Sequence, residues 1–105
     1  MYKDIITYEL ADGITEEHLK KVAIQILEEW MEKLPGFVSW ELNKSGDDKY
    51  VDIVCWESKE AAMSANREMA NIPNAGEWYA CYKKESISAQ NITTVAAFNS
   101  KKQSV

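Results

Sequence analysis

Between Lys49 and Trp56 the chain reads KYVDIVCW, a segment that is apolar on both of its sides. Val51, Ile53 and Cys55 alternate with Tyr50, Val54 and Trp56, and only Asp52 interrupts the second set. β-Branched and aromatic residues at a period of two specify a strand. A strand with helices on one face and water on the other alternates cleanly between apolar and polar. This one does not, so both faces need cover, and a 105-residue chain with two main helices can cover only one. The expectation is that a second copy of the protein covers the face bearing Tyr50, Asp52, Val54 and Trp56, as a homodimer packed sheet to sheet. There Asp52 must find a hydrogen-bond donor or take up a proton, and a Lys or Arg across the interface is the expected partner.

The flanking segments build an α+β domain around that strand. Tyr2 to Leu10 alternates as a first strand and ends at Ala11-Asp12-Gly13. Thr15 caps a helix with Glu16 and Glu17 in its first turn, where the helix dipole favours anions. Leu19, Val22, Ala23, Ile26, Leu27, Trp30, Met31 and Leu34 form one stripe at spacings of three and four, stopped by Pro35-Gly36. Phe37 to Asn43 is a second strand, joined to the Lys49–Trp56 strand by a Ser45-Gly46-Asp47-Asp48 turn. Ser58 caps a second helix whose small-residue face, Ala61, Ala62, Ala65 and Met69, either lets it lie close on the sheet or leaves room for a ligand. Glu77 to Lys84 reads as a short helix, because Trp78, Cys81 and Tyr82 share a face only at helical spacing; Ile87 to Phe98 reads as a last strand. Residues 1–98 make a single domain, and 99–105 a flexible polar tail.

Composition narrows the partners. The net charge is −5 and the twelve Lys and Arg are scattered, so nucleic acid and anionic membranes, which bind clustered cations, are not expected. No apolar run reaches the ~20 residues of a membrane span and no secretory signal is evident, so a cytoplasmic location is expected. Cys55 and Cys81 are too few and too far apart for a zinc knuckle or a redox pair, and read as buried free thiols.

The order strand, helix, strand, strand, helix, strand is the ferredoxin-like split βαβ arrangement, βαββαβ, an antiparallel sheet with helices on one face. Pro35-Gly36-Phe37 with Trp40-Glu41-Leu42, then Val54-Cys55-Trp56-Glu57-Ser58-Lys59-Glu60-Ala61-Ala62, then Glu77-Trp78-Tyr79 and Val95-Ala96-Ala97-Phe98 resemble one group with that fold, the antibiotic-biosynthesis-monooxygenase-like dimeric α+β barrels. The resemblance covers residues 2 to 98. It implies paired chains with facing sheets and a mostly apolar pocket in each subunit between sheet and helices. The group's enzymes oxidise quinols or polycyclic phenols with dioxygen, using no metal or flavin cofactor, or degrade haem. The haem-degrading branch has a Trp in the middle of the second helix and a His after it. Here the matching position falls near Ala65 and no His follows residue 18, which disfavours haem degradation.

The candidate pocket residues are Tyr8, Trp40, Asp52, Trp56, Asn66, Trp78 and Tyr82. Aromatic walls suit a flat ring, although core and dimer interface use the same residue types. Trp30, within the helix stripe, reads as core. Asp52 is a possible functional carboxylate, and Asn66 could orient a carbonyl. His18, the only histidine, sits in the first turn of a helix and reads as a surface residue, which leaves no catalytic triad or His-rich metal site. Two functions fit these features: a cofactor-independent monooxygenase acting on a small aromatic or quinol, and a non-catalytic homodimeric module that binds a small ligand or a partner.

Overall fold

A computed structural model of the chain describes residues 1–101. Its elements are β1 (Tyr2–Glu9), α1 (Glu16–Glu29), β2 (Phe37–Gly46), β3 (Lys49–Trp56), α2 (Lys59–Arg67), α3 (Ala75–Tyr79) and β4 (Ser88–Thr93). The four strands form one antiparallel sheet in the order β2-β3-β1-β4, and the helices pack on one face of it. This is the ferredoxin-like α+β fold expected from the order of elements.

Local chemistry sets the helix limits. The Thr15 hydroxyl accepts the His18 backbone N–H at 3.1 Å, opening α1, whose Leu19, Val22, Ala23 and Ile26 are buried. The apolar stripe continues to Leu34, but α1 ends at Glu29, because Trp30 leaves helical geometry (φ −140°) and Met31–Lys33 tighten into a 3₁₀ turn. The Ser58 hydroxyl accepts the Ala61 N–H at 3.1 Å and opens α2. Its small-residue face serves both expected purposes. Gly36, at φ +82°, lies so close that a Cβ there would stand 2.5 Å from the Ala61 Cβ, while Ala65, one turn on, borders a cavity.

The strand registers place Tyr2, Asp4, Ile6 and Tyr8 of β1 opposite Trp56, Val54, Asp52 and Tyr50 of β3, with Trp40 and Leu42 of β2 opposite Val54 and Asp52. All these side chains share the face toward the helices. The expectation that a partner must cover Tyr50, Asp52, Val54 and Trp56 is therefore corrected. Within a single chain they are 5 %, 2 %, 4 % and 2 % exposed, under their own helices. Val51, Ile53 and Cys55, on the opposite face, are only half-buried. The sequence placed a partner over this face because two main helices can cover only one side of the sheet, and the side they leave open is the one bearing Val51, Ile53 and Cys55. Cys81 is buried as expected, and Cys55 is not fully so.

Two boundaries also move. The last helix is Ala75–Tyr79, two residues earlier than expected; Tyr82 then pairs with Leu10, and the Lys83 N–H reaches Glu9 O, which carries the chain back to β1. β4 stops at Thr93 rather than Phe98, because β1, its partner, begins at Tyr2 opposite Thr93, and the last bond is Thr94 N–H to Met1 O. Val95 and Phe98 are left 96 % and 91 % exposed. Of the expected flexible tail at 99–105, residues 102–105 lie outside the described residues. Among the described residues no helix is long and apolar enough to cross a membrane.

Candidate functional site

A cavity of about 80 Å³ lies between the sheet and the helices. Its floor is Asp4 and Ile6 of β1, Trp40 of β2, and Asp52, Val54 and Trp56 of β3. Trp30 and Met31, past the end of α1, Ala65, Asn66 and Met69 on and after α2, and Trp78 of α3 complete the walls. The alternation of β3 accounts for the floor: every second residue from Asp52 to Trp56 points under the helices.

Among the described residues, Asp52 is the one charged side chain that is buried. The Tyr8 hydroxyl donates to its Oδ1 at 2.8 Å and the Trp40 indole N–H to its Oδ2 at 3.1 Å. Burial pushes its pKa up to about 6, and the two hydrogen bonds pull the other way. Among the described residues no Lys or Arg meets it, where one across an interface was expected; two neutral donors of its own chain do. A carboxylate can accept about four hydrogen bonds, so accepting capacity remains. Burial and the Asp52 charge together raise the Tyr8 and Tyr82 phenols far above their ordinary range, so both remain protonated.

Asp4 is a second carboxylate on the same cavity. The Trp56 indole N–H donates to its Oδ2 at 3.1 Å and the Asn91 side-chain amide to its Oδ1. Burial raises its pKa against those two bonds. Because Asp4 faces Val54 and Ile6 faces Asp52, the two residues sit diagonally across β1 and β3, positions whose backbones are about 7–8 Å apart. Among the described residues, no Lys, Arg or His lines the cavity.

Of the seven expected pocket residues, Trp40, Asp52, Trp56, Asn66 and Trp78 border the cavity. Tyr8 and Tyr82 do not. Their rings pack 4.5 Å apart behind it, and Tyr8 reaches the site only through Asp52. Asp4, Ile6, Trp30, Met31 and Val54 were not foreseen in the lining, and Ala65 and Met69 only as part of the small-residue face. Asp4 carried a usable signal, since it lies four residues from Tyr8 on one strand and so on the same face. Trp30 is core, as expected, and also a wall. His18 is half-buried, 4.0 Å from Glu77 and outside the cavity. Among the described residues, no three His, Cys, Asp or Glu side chains gather as a metal site requires.

No protein-family model matches the chain, and no curated protein matches it. Solved structures do. SnoaB, a cofactor-independent oxygenase from Streptomyces nogalater, superposes with a TM-score of 0.75 at 17 % identity, over 94 % of this chain and 97 % of that one. A monooxygenase from the gene ActVA-Orf6 of Streptomyces coelicolor, solved with nanaomycin D, gives 0.71 at 21 %, over 94 % and 91 %. A heme-degrading protein from Mycobacterium tuberculosis gives 0.60 at 24 %, over 94 % and 96 %. At these identities the likeness is one of architecture. The chain has the ferredoxin-like α+β fold of the antibiotic-biosynthesis-monooxygenase-like proteins.

Proposed function

We propose that this chain is a cofactor-independent monooxygenase-like protein acting on a small phenol or quinol, with Asp52 as the group that accepts the substrate's proton. The observation that carries the reading is a carboxylate 2 % exposed, at the floor of an aromatic cavity, with a pKa near 6. A base so placed is largely ionised at neutral pH yet close enough to the operating pH to be effective. Transfer of the hydroxyl proton to Asp52 leaves an electron-rich anion. That anion reduces dioxygen; one oxygen atom enters the substrate at the oxidised carbon and the other leaves as water with the two hydrogens removed. Tyr8 and Trp40 orient the carboxylate, and the apolar walls exclude water.

Haem is a poorer fit. Its propionates would face Asp4 and Asp52 with no cation on the wall, and Ala65 stands where the resemblance puts a Trp. The size of the cavity bears on the choice of substrate. About 80 Å³ is less than the ~150 Å³ of an engineered cavity that admits benzene. A ring therefore enters by displacing Met31 and Met69, whose unbranched side chains can repack around it. The same narrowness favours the second reading, a non-catalytic binding module. Oxygen consumption with a panel of quinols and small phenols separates the two. Uptake above the protein-free rate, linear in protein, is expected, and a flat response across the panel leaves the binding module.

The homodimer remains part of this proposal, through the opposite face. Ile5, Val51, Ile53 and Cys55 lie half-buried on the side away from the helices, and exposed Val95 and Phe98 continue beyond β4. A twin chain laid on that face would cover them. Light scattering at micromolar concentration is expected to give twice the chain mass. A monomer there, with Ile53→Lys soluble and equally stable, would remove the dimer.

A further inference from the structure

A line of aromatic rings leads away from the cavity. Trp40 and Trp78 line it, their ring centres 5.7 Å apart. Tyr82 stands 6.2 Å from Trp78, Tyr8 4.5 Å from Tyr82, and Tyr50 5.9 Å from Tyr8. The three phenols lie behind the cavity, and the last meets Glu16 in the first turn of α1. Packing alone brings rings to such distances. What sets this line apart is the placement of its proton acceptors.

A phenol gives up an electron readily only where its proton can leave with it. The Tyr8 hydroxyl donates to Asp52 at 2.8 Å, and the Tyr50 hydroxyl to Glu16 at 2.8 Å. The Tyr50 hydrogen bond and Lys44 hold Glu16 below the usual carboxylate range, and Asp52, with a pKa of about 6, is largely ionised at neutral pH. Both carboxylates can therefore take a proton. Trp78 is the opposite case. Its indole N–H is buried and has no hydrogen-bond partner among the described residues, and the nearby Tyr82 phenol is too weak a base to take its proton. An electron removed from Trp78 leaves a radical cation that keeps its proton and stays strongly oxidising.

We propose that these rings form a radical relay, in which an electron lost from Trp78 to an oxygen-centred radical in the cavity, itself reduced to its anion, is replaced from Tyr8 and then from Tyr50. In the first step Tyr8 passes an electron through the Tyr82 ring to the Trp78 radical cation, and its proton to Asp52. Trp78 is restored, leaving a Tyr8 phenoxyl radical beside a protonated Asp52. In the second step Tyr50 passes an electron to Tyr8 and its proton to Glu16, while Asp52 returns the first proton to Tyr8. The oxidising equivalent ends on Tyr50, beside exposed Glu16, and Asp52 is a carboxylate again. While Asp52 carries a substrate's proton, Tyr8 cannot release its own, so the relay drains the resting site and not the substrate complex. It does not depend on the monooxygenase reading.

Pulse radiolysis tests it without any substrate, since azide radicals take electrons from indole rings. In the wild type the visible band of the indole radical should decay as the phenoxyl band grows, at a first-order rate independent of protein concentration. Asp52→Asn, which keeps the rings but cannot take the proton, and Tyr8→Phe should each slow that conversion about 10-fold or more. Tyr79→Phe, which removes the exposed phenol stacked 5.7 Å from Trp78, should leave it within about twofold. Ascorbate should quench the phenoxyl radical about 10-fold more slowly in Tyr50→Phe, where it stays on Tyr8, 2 % exposed. An unchanged rate in Asp52→Asn, loss of conversion in Tyr79→Phe, or a wild-type rate that scales with protein concentration would each overturn the relay. Equal quenching would remove the Tyr50 step. If Tyr8→Phe does not fold, Asp52→Asn decides. Oxygen uptake without radical conversion would sink the relay and leave the monooxygenase reading standing, and conversion without uptake would do the reverse.

Discussion

Asp52→Asn is expected to lower kcat/KM for oxygen uptake with a phenolic substrate by about 10²–10⁴-fold, the usual contribution of a positioned general base. Asparagine keeps the shape of aspartate and still offers an oxygen to Tyr8 or Trp40, so the fold should persist, as circular dichroism and a single cooperative melt would show. The variant loses the ability to take a proton. In the wild type kcat/KM should rise with pH through an apparent pKa of about 6 and level off above it, because the ionised form is the base. The variant should show no such inflection. Activity within a few-fold of wild type, with the same pH profile, would mean that Asp52 is a structural carboxylate and that the proton goes elsewhere.

The second large effect is on stability, at Gly36. The residue sits at φ +82°, and an added Cβ would meet the Ala61 Cβ at 2.5 Å. The left-handed backbone costs a side chain about 1–2 kcal/mol, and overpacking against a helix adds about 1–3 kcal/mol. Gly36→Ala should therefore lose about 2–5 kcal/mol in urea unfolding, a large share of a small domain's stability. Gly13 has the same φ of +82° with nothing within 4 Å, so Gly13→Ala should show the backbone cost alone. Adding Ala61→Gly to Gly36→Ala should restore part of the loss, since the two positions touch. Equal losses at Gly13 and Gly36, with no recovery from Ala61→Gly, would show that α2 does not press on this turn.

The sequence carried the elements well wherever a local signal was strong. Thr15 and Ser58 capped their helices, β3 fell at Lys49–Trp56, and the βαββαβ order led to the sheet order found. Boundaries went astray where tertiary contacts rule. The stripe through Leu34 hid the break at Trp30, and the Ile- and Val-rich run to Phe98 outlasted its pairing partner. The sidedness of β3 was misread for a different reason. Both sides of β3 are apolar, so its alternation does not say which one the helices take, and nothing local to Asp52 announces that Tyr8, 44 residues away, and Trp40, 12 away, will supply its donors.

The raised pKa of Asp52 has a thermodynamic consequence with a definite sign. The folded value, about 6, lies above the ordinary unfolded value of ~3.9, so between them the folded protein holds a proton that the unfolded chain releases. This group's stabilising contribution is complete below pH ~4 and is lost as pH rises through about 6, by at most about 2–3 kcal/mol. Asp52→Asn lacks that dependence, so its stability relative to wild type should improve from pH 4 to pH 7.

The buried proton acceptor can be observed without any substrate. A ¹³C titration of the Asp52 side-chain carboxyl, assigned by its loss in Asp52→Asn, is expected to give a midpoint near pH 6. A midpoint near 4, that of an aspartate in water, would mean the carboxylate is solvated and that the cavity does not hold the base assigned to it.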